Sequence, residues 1–104
     1  MFYRIFYIND YSKMFKSGAD GKTYGCFIFI KKSKKGDKCL IEHELEHVKQ
    51  FWTLQSWRSK CYKEKQAYKK QYLCQDKRNK SFFINMISKY CKKKSRKEIS
   101  NFLG

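Results

Sequence analysis

The chain has 104 residues, 18% of them aromatic and none of them proline, and its formal net charge is +16. This length predicts a single domain, residues 1–104, and the many bulky apolar side chains exclude an intrinsically disordered chain. The charge is typical of proteins that bind nucleic acid or acidic membranes. Most of the basic residues, however, are lysine rather than the arginine that reads bases and phosphates, so a solvated lysine-rich surface is the favoured interpretation.

The first third of the chain predicts β-structure. Residues 2–8 are aromatic and β-branched, which favours a strand. A turn signal follows at residues 17–21. Residues 23–32 then predict a strand that is apolar on both faces, because aromatic side chains such as Phe29 alternate with aliphatic ones such as Ile30.

A helix is predicted from about Lys38 to Trp57, with Asp37 as its N-cap. At ~100° per residue its side chains divide into three faces. The main apolar stripe holds Ile41, Leu45, Val48 and Trp52, the solvent stripe holds Glu42, Glu46, Lys49 and Thr53, and the third face holds Leu40, His43, His47, Phe51 and Leu54. Two faces of this helix are therefore expected to be buried and one to meet water.

Further helices are predicted at residues 61–74, 79–92 and 95–103, separated by polar and basic joints. Two or more strands followed by three or four helices indicate an α+β fold, in which a small β-sheet precedes the helices.

The five cysteines are odd in number and widely spaced, without a CxxC pair. The opening segment lacks the uninterrupted apolar run of a secretory leader, and no stretch approaches the ~20 apolar residues of a membrane span. We therefore expect reduced thiols, a cytoplasmic location and no membrane span.

The strongest chemical signal is a full H-E-x-x-H motif at residues 43–47. Residues four apart on a helix are neighbours on one face, so that His43 and His47 can both reach one Zn²⁺ at about 2.0–2.1 Å. Glu44 lies beside the metal, where it can take a proton from a water molecule and deliver it to the leaving amine. The two histidines are the only ones in the chain. The motif predicts zinc-dependent peptide-bond hydrolysis.

A catalytic zinc site needs a third protein ligand and an open position. Glu64 is the best candidate, because it lies far enough after His47 for a turn and a returning helix. The small Ala67 on the same face of that helix would let it approach the first helix closely. The other acidic residues after His47 are Asp76 and Glu98.

The segment HELEHVKQ followed by E-x-x-A resembles the gluzincin metallopeptidases, whose third zinc ligand is a glutamate on a second helix, and the chain is similar in size to their minimal members, the minigluzincins. The resemblance covers about residues 20–72. It implies that His43, His47 and Glu64 bind zinc and that Glu44 polarises the water that attacks a peptide or protein substrate.

The same resemblance has implications for the cleft. It implies that residues 21–32 border the cleft and pair with an extended substrate, and that the tail from Ile99 to Gly104 covers the cleft as in a zymogen. Many gluzincins stabilise the oxyanion with a downstream His, Tyr or Arg. The sequence leaves this role open among the arginines and Tyr62, Tyr68, Tyr72 and Tyr90.

Two other interpretations account for parts of the sequence. One is a closed structural zinc site, although the cysteines lack the usual C-x₂₋₄-C spacing. Its ligands would be Cys39, His43 and His47 together with Cys26 or Cys61. The other is a small basic nucleic-acid-binding or interaction protein, which would use the lysines and aromatic residues interleaved between Phe51 and Lys94. Ordinary amphipathic helices explain that interleaving equally well.

Overall fold

The computed structural model describes the backbone of residues 1–104 and the side chains of residues 1–15 and 18–104. A small three-stranded sheet precedes four α-helices in this described chain, which confirms the predicted α+β class. The strands are β1 (Arg4–Ile8), β2 (Gly21–Tyr24) and β3 (Phe27–Lys31), and the helices are α1 (Lys38–Trp52), α2 (Lys60–Cys74), α3 (Lys80–Tyr90) and α4 (Arg96–Leu103). Short 3-10 helices span Lys13–Gly18 and Lys32–Lys34.

The strand predicted over residues 23–32 is in fact a hairpin. Gly25 adopts a φ of 61°, and glycine at the first of two turn residues is the signature of a type II′ hairpin. The turn at Gly25 and Cys26 therefore separates β2 from β3, and the prediction of one continuous strand is wrong. The strand order is β1–β3–β2, with β1 parallel and β2 antiparallel to β3. This order leaves β2 at an edge of the sheet.

Helix α1 begins where the sequence predicts and ends earlier. The Asp37 side chain accepts a hydrogen bond from the Leu40 N–H at 3.0 Å, so the predicted N-cap is confirmed. The helix ends at Trp52 rather than Trp57. Leu54 then takes a φ of 59°, and the Gln55 N–H donates to the carbonyl of Gln50 at 2.7 Å. This arrangement is a Schellman motif with leucine in place of the usual glycine.

Helix α1 lies between the sheet and α2, as expected of a helix with two faces for burial. Its Val48 packs with Ile28 and Ile30 in a core beneath the sheet, and Ala67 of α2 is fully buried. All three predicted faces are wrong in part, and on the third face Phe51 and Leu54, expected to be buried, are exposed. Glu46, expected on the solvent stripe, is buried, and Trp52, expected on the apolar stripe, is half exposed.

A second core joins α2, α3 and α4. Its buried residues are Tyr68, Tyr72, Phe83, Ile87, Cys91, Ile99 and Leu103. The C-terminal tail is therefore part of this core, and none of its described side chains lines the cleft that holds the two histidines. The cleft-covering tail implied by the resemblance is not what this structure contains, because Ile99 and Leu103 are buried in the helical core instead.

Two disulfides, Cys39–Cys74 and Cys61–Cys91, correct the prediction of reduced thiols. Their partners are 35 and 30 residues apart in sequence, and only the packing of the helices brings them together. Among the cysteines of the described chain, Cys26 is the one without a disulfide. No described helix is long and apolar enough to cross a membrane.

Candidate metal centre

The two histidines open onto a cleft of about 680 Å³. Its walls come from β2, α1, α2 and α3. Helices α1 and α2 pack against each other more extensively than any other pair of helices, and edge strand β2 runs along α1 on the other side. The cleft is therefore bounded by an edge strand on one wall and by helices on the others.

His43, His47 and Glu64 meet at the base of this cleft. The Nε2 atom of His47 lies 2.9 Å from one carboxylate oxygen of Glu64, and the Nε2 atom of His43 lies 3.6 Å from the other. Each of the three residues offers one potential ligand atom, and these three atoms all lie within 4.8 Å of one another. The group could therefore hold a metal ion, and it is the group that the sequence predicted, with neither Asp76 nor Glu98 in the place of Glu64.

The proximity of these groups shifts their proton affinities. Burial tends to lower the pKa of His47, but hydrogen bonding to Glu64 and the charge of its carboxylate outweigh burial and raise that pKa. Burial tends to raise the pKa of Glu64, but hydrogen bonds with His43 and His47 hold that pKa well below its usual range. Glu64 is therefore ionised, as a metal ligand must be.

Gln50 fixes the orientation of the His47 ring. Its Nε2 donates to the carbonyl of Lys63 on α2 at 3.1 Å, so its Oε1 is left to accept a hydrogen bond from His47 Nδ1 at 3.0 Å. With Nδ1 donating to Gln50, Nε2 of His47 faces Glu64 and the cleft, where it donates to the carboxylate when the ring is protonated and offers its lone pair to a metal when the ring is neutral. Sequence analysis missed Gln50, although its place three residues after His47 on the same helix is a signal that could have found it.

Two residues of β2 hold Glu44. Thr23 Oγ1 donates to Glu44 Oε1 at 2.8 Å, while Glu44 Oε2 lies 3.8 Å from His43 Nε2. A side-chain carbon built at Gly21 would lie 2.9 Å from Ile30 Cδ1 and 3.3 Å from Glu44 Oε2. Glycine at this position therefore leaves room for the carboxylate, and one of its oxygens stays directed at the metal-binding group. No motif connects Thr23 or Gly21 to Glu44, so the sequence did not indicate them.

The structure reduces the set of tyrosines that could face a substrate. Tyr68 and Tyr90 both line the cleft, and the Tyr68 ring packs edge-on against His43 at 4.4 Å. Burial raises the pKa of both phenols, and the nearby carboxylates raise it further, so both keep their protons. Tyr62 lines a separate groove, and Tyr72 is in the helical core.

The Nδ1 atom of His43 is unusual among the described side chains. It is buried and has no hydrogen-bond partner, and it is the one such atom in the part of the chain whose side chains are described. An unpaired buried polar atom costs about 1–3 kcal/mol, and such atoms are often found at functional sites.

The closed structural zinc site that the sequence left open does not form. Cys39 and Cys61 are disulfide-bonded, so neither offers a thiolate to a metal. Cys26 packs against the core beneath the sheet.

Comparison with known proteins found no match to a protein-family model, to a curated protein or to a solved structure.

Proposed function

We propose that this protein is a zinc-dependent peptidase of the gluzincin type. The observation that carries the proposal is the convergence of His43, His47 and Glu64 in an open cleft, with the Glu44 carboxylate beside them. Three ligands leave one position of a tetrahedral ion free, which distinguishes a catalytic zinc site from a closed structural one.

The donor set suits zinc. Two imidazoles and one carboxylate are ligands of catalytic zinc sites, and two ligands of a tetrahedral ion at about 2.0–2.1 Å are roughly 3.3 Å apart. The Nε2 atoms of His47 and His43 lie 2.9 and 3.6 Å from different oxygens of Glu64, so each imidazole has a carboxylate oxygen near that spacing. When bound, zinc would polarise the scissile carbonyl and lower the pKa of a water molecule toward neutrality.

Glu44 is the general base in this proposal. It takes a proton from the attacking water and later gives that proton to the leaving amine. The hydrogen bond from Thr23 holds one of its oxygens, which leaves the other to face the reacting groups. Tyr68 and Tyr90, both protonated and both in the cleft, are the candidates to donate hydrogen bonds to the oxyanion.

The proposed substrate is an extended peptide. Edge strand β2 lines the cleft, and an edge strand has unpaired backbone groups that can add a further strand. This edge is formed by β2 alone, rather than by the whole segment 21–32 expected from the resemblance.

The test is a peptidase assay with a quenched-fluorescence peptide library on the zinc-loaded protein. We expect Glu44→Gln to lower kcat by at least about 100-fold, in the range reported for loss of a general base, with unchanged zinc content. Glu42→Gln is the matched control, because Glu42 is an exposed carboxylate on the same helix. Wild-type activity in Glu44→Gln would contradict the proposal.

The cytoplasmic location predicted from the sequence stays a prediction. Disulfides form and persist mainly in oxidising compartments, so the Cys39–Cys74 and Cys61–Cys91 bridges favour such a compartment instead. Counting free thiols in the protein isolated from its native source distinguishes the two: one free thiol supports an oxidising compartment and five support the cytoplasm.

A further inference from the structure

The outer face of the sheet, which is the face opposite α1, carries a second feature that the metal centre does not use. Ile28 and Ile30 of β3 are fully buried on the α1 side. Because successive side chains of a strand point to opposite faces, their neighbours Phe27 and Phe29 lie on the outer face. The same alternation puts Arg4 and Phe6 of β1 and Lys22 and Tyr24 of β2 beside them.

These side chains form two cross-strand rows. In the first row Arg4, Phe27 and Tyr24 are in register across the three strands, and in the second row Phe6, Phe29 and Lys22 are in register. Within the second row the ring centroids of Phe6 and Phe29 are 5.3 Å apart, and between the rows those of Tyr24 and Phe29 are 5.9 Å apart. The outer face is thus a continuous aromatic surface with a cation in each row.

The first row is the exposed end of this surface. Tyr24 is 54% exposed and Phe27 is 43% exposed, and Arg4 is exposed as well. At the opposite end of the sheet, Lys31 pairs with Asp20 at 3.1 Å and lies beside the ring of buried Phe15. Contiguous exposed aromatic rings on a sheet are typical of a binding surface.

Charge identifies the kind of partner. The three strands contain no acidic residue, and of their cations Lys31 pairs with Asp20 just before β2, which leaves Arg4 and Lys22 to face a ligand. The guanidinium of Arg4 lies 5.3 Å from the centre of the Phe6 ring, and the whole chain carries a net charge of +16. A polyanion complements this face, and flat aromatic rings complement the faces of unpaired bases.

We propose that the outer face binds single-stranded nucleic acid. Bases stack on Tyr24 and Phe27, and the phosphate backbone lies along Arg4 and Lys22. Duplex is a poor ligand because its bases are stacked on each other. An anionic membrane satisfies the charges but gives the rings no flat partner. The rings lie on the face of the sheet away from α1, but Lys22 and Tyr24 belong to β2, which also borders the cleft of the metal centre, so a variant of the metal site is needed to separate the two functions.

The first test uses the wild-type protein and fluorescence anisotropy. The probes are fluorescein-labelled dT12 and U12, a 12-bp duplex, and vesicles of phosphatidylcholine with 30% phosphatidylserine. We expect dT12 or U12 to bind at least about tenfold more tightly than the duplex, with affinity that falls as salt rises. Tighter binding of U12 assigns RNA and tighter binding of dT12 assigns DNA. Equal or tighter binding of duplex, or binding of vesicles alone, overturns the proposal.

The second test uses variants of exposed residues. We expect the double variant Tyr24→Leu, Phe27→Leu to lose at least about tenfold in affinity for the preferred oligonucleotide. Trp57→Leu is the control, because Trp57 is an exposed aromatic residue outside the sheet, and its affinity should stay within about twofold of wild type. Equal losses in the double variant and the control overturn the proposal.

A charge variant covers the case in which the double variant does not fold. Arg4→Gln should lower the affinity and reduce the salt slope by about one. Its control is Arg78→Gln, at an exposed position in the joint between α2 and α3. An unchanged salt slope in Arg4→Gln overturns the assignment. Glu64→Ala should bind the oligonucleotide like wild type. This result would show that oligonucleotide binding does not depend on the proposed peptidase function.

Discussion

Glu44 owes its position to residues that are distant in the sequence. The H-E-x-x-H motif identifies Glu44 as a base, but the motif does not determine where the carboxylate points. Thr23, on the edge strand, donates to one carboxylate oxygen at 2.8 Å, and Gly21 leaves space for the other. The motif therefore identifies the Glu44 carboxylate, and the tertiary fold determines its orientation.

We expect Thr23→Val to lower kcat about 10–100-fold, because a hydrogen bond to a charged group contributes about 1.5–3 kcal/mol. Zinc content should not change, since Thr23 contacts none of the three proposed ligands. Thr23→Ser keeps the hydroxyl and is the control. The assay is steady-state hydrolysis of a fluorogenic peptide, and equal rates for Thr23→Val and Thr23→Ser would contradict the role of Thr23.

The orientation of His47 gives a second residue-scale prediction. We expect Gln50→Leu to weaken zinc binding about 10–100-fold, because the loss of a hydrogen bond to a ligating histidine commonly costs this much. Gln66→Leu on α2 is the control, since Gln66 lines the separate groove. Competition with a chromophoric chelator measures both affinities. Similar affinities for the two variants would show that Gln50 does not fix the ring.

The pair of Glu64 and His47 makes the stability of the metal-free protein depend on pH. The pKa of His47 is raised above its ordinary 6.5, so its contribution is complete below pH 6.5 and is lost as pH rises through the raised value. The pKa of Glu64 is lowered from its ordinary 4.5, so its contribution is complete above pH 4.5 and is lost at lower pH.

We therefore expect the pair to stabilise the metal-free fold most between pH 4.5 and 6.5. Glu64→Gln should flatten this maximum, and Glu42→Gln should leave it in place because Glu42 is exposed. Urea unfolding in the presence of a chelator, from pH 4 to 9, gives the two profiles. A wild-type profile in Glu64→Gln would show that the ion pair does not contribute.

At the scale of the elements, the helix starts that carry a Ser or Asp cap were predictable, and the end of α1, which depends on a positive φ at a leucine, was not. Asp37, Ser59 and Ser95 each accept a hydrogen bond at the start of a helix, and serine and aspartate are the expected N-caps. Leu54 ends α1 in the left-handed region, where glycine is the usual residue. Leucine does not mark a helix end in a sequence, so the prediction from the sequence placed the end of α1 at Trp57.

Leu54→Gly should therefore stabilise the protein by about 1 kcal/mol, because a left-handed conformation costs a non-glycine residue roughly 1–2 kcal/mol. The leucine side chain is 80% exposed, so little burial is lost. Leu73→Gly is the matched control within helix α2, and it should destabilise by about 0.5–1 kcal/mol. Chemical unfolding of the three proteins measures both changes, and a destabilised Leu54→Gly would contradict this account of the turn.

At the scale of the whole molecule, the disulfides hold α2 at both of its ends. Cys74 connects the end of α2 to the start of α1, and Cys61 connects the start of α2 to the segment after α3. Pairing of this kind depends on the packing of three helices, and no local pattern in the sequence encodes it. The fold class was predictable from hydrophobic periodicity. Glu64 was predictable as a ligand because its distance from His47 in the sequence is long enough for a turn and a returning helix.

Removal of a disulfide should destabilise the protein substantially. We expect two double variants, Cys61→Ser with Cys91→Ser and Cys39→Ser with Cys74→Ser, each to lower the free energy of unfolding by about 3–4 kcal/mol. This estimate follows from the lengths of the loops that the disulfides close. Cys26→Ser is the control and should lose less, because Cys26 is only partly buried and forms no bridge. Guanidinium unfolding of the three proteins tests this order of stability.

The most direct test of the central claim is the zinc stoichiometry of purified wild type, Glu44→Gln and Glu64→Ala, measured by elemental analysis. The proposed site predicts one zinc per chain in wild type and in Glu44→Gln, and its loss in Glu64→Ala, because Glu64 is the third ligand and Glu44 is not a ligand. Zinc at 100 times its Kd should also raise the free energy of unfolding by about 2.7 kcal/mol. Absence of zinc from all three proteins, or full retention in Glu64→Ala, would contradict the metal centre described above.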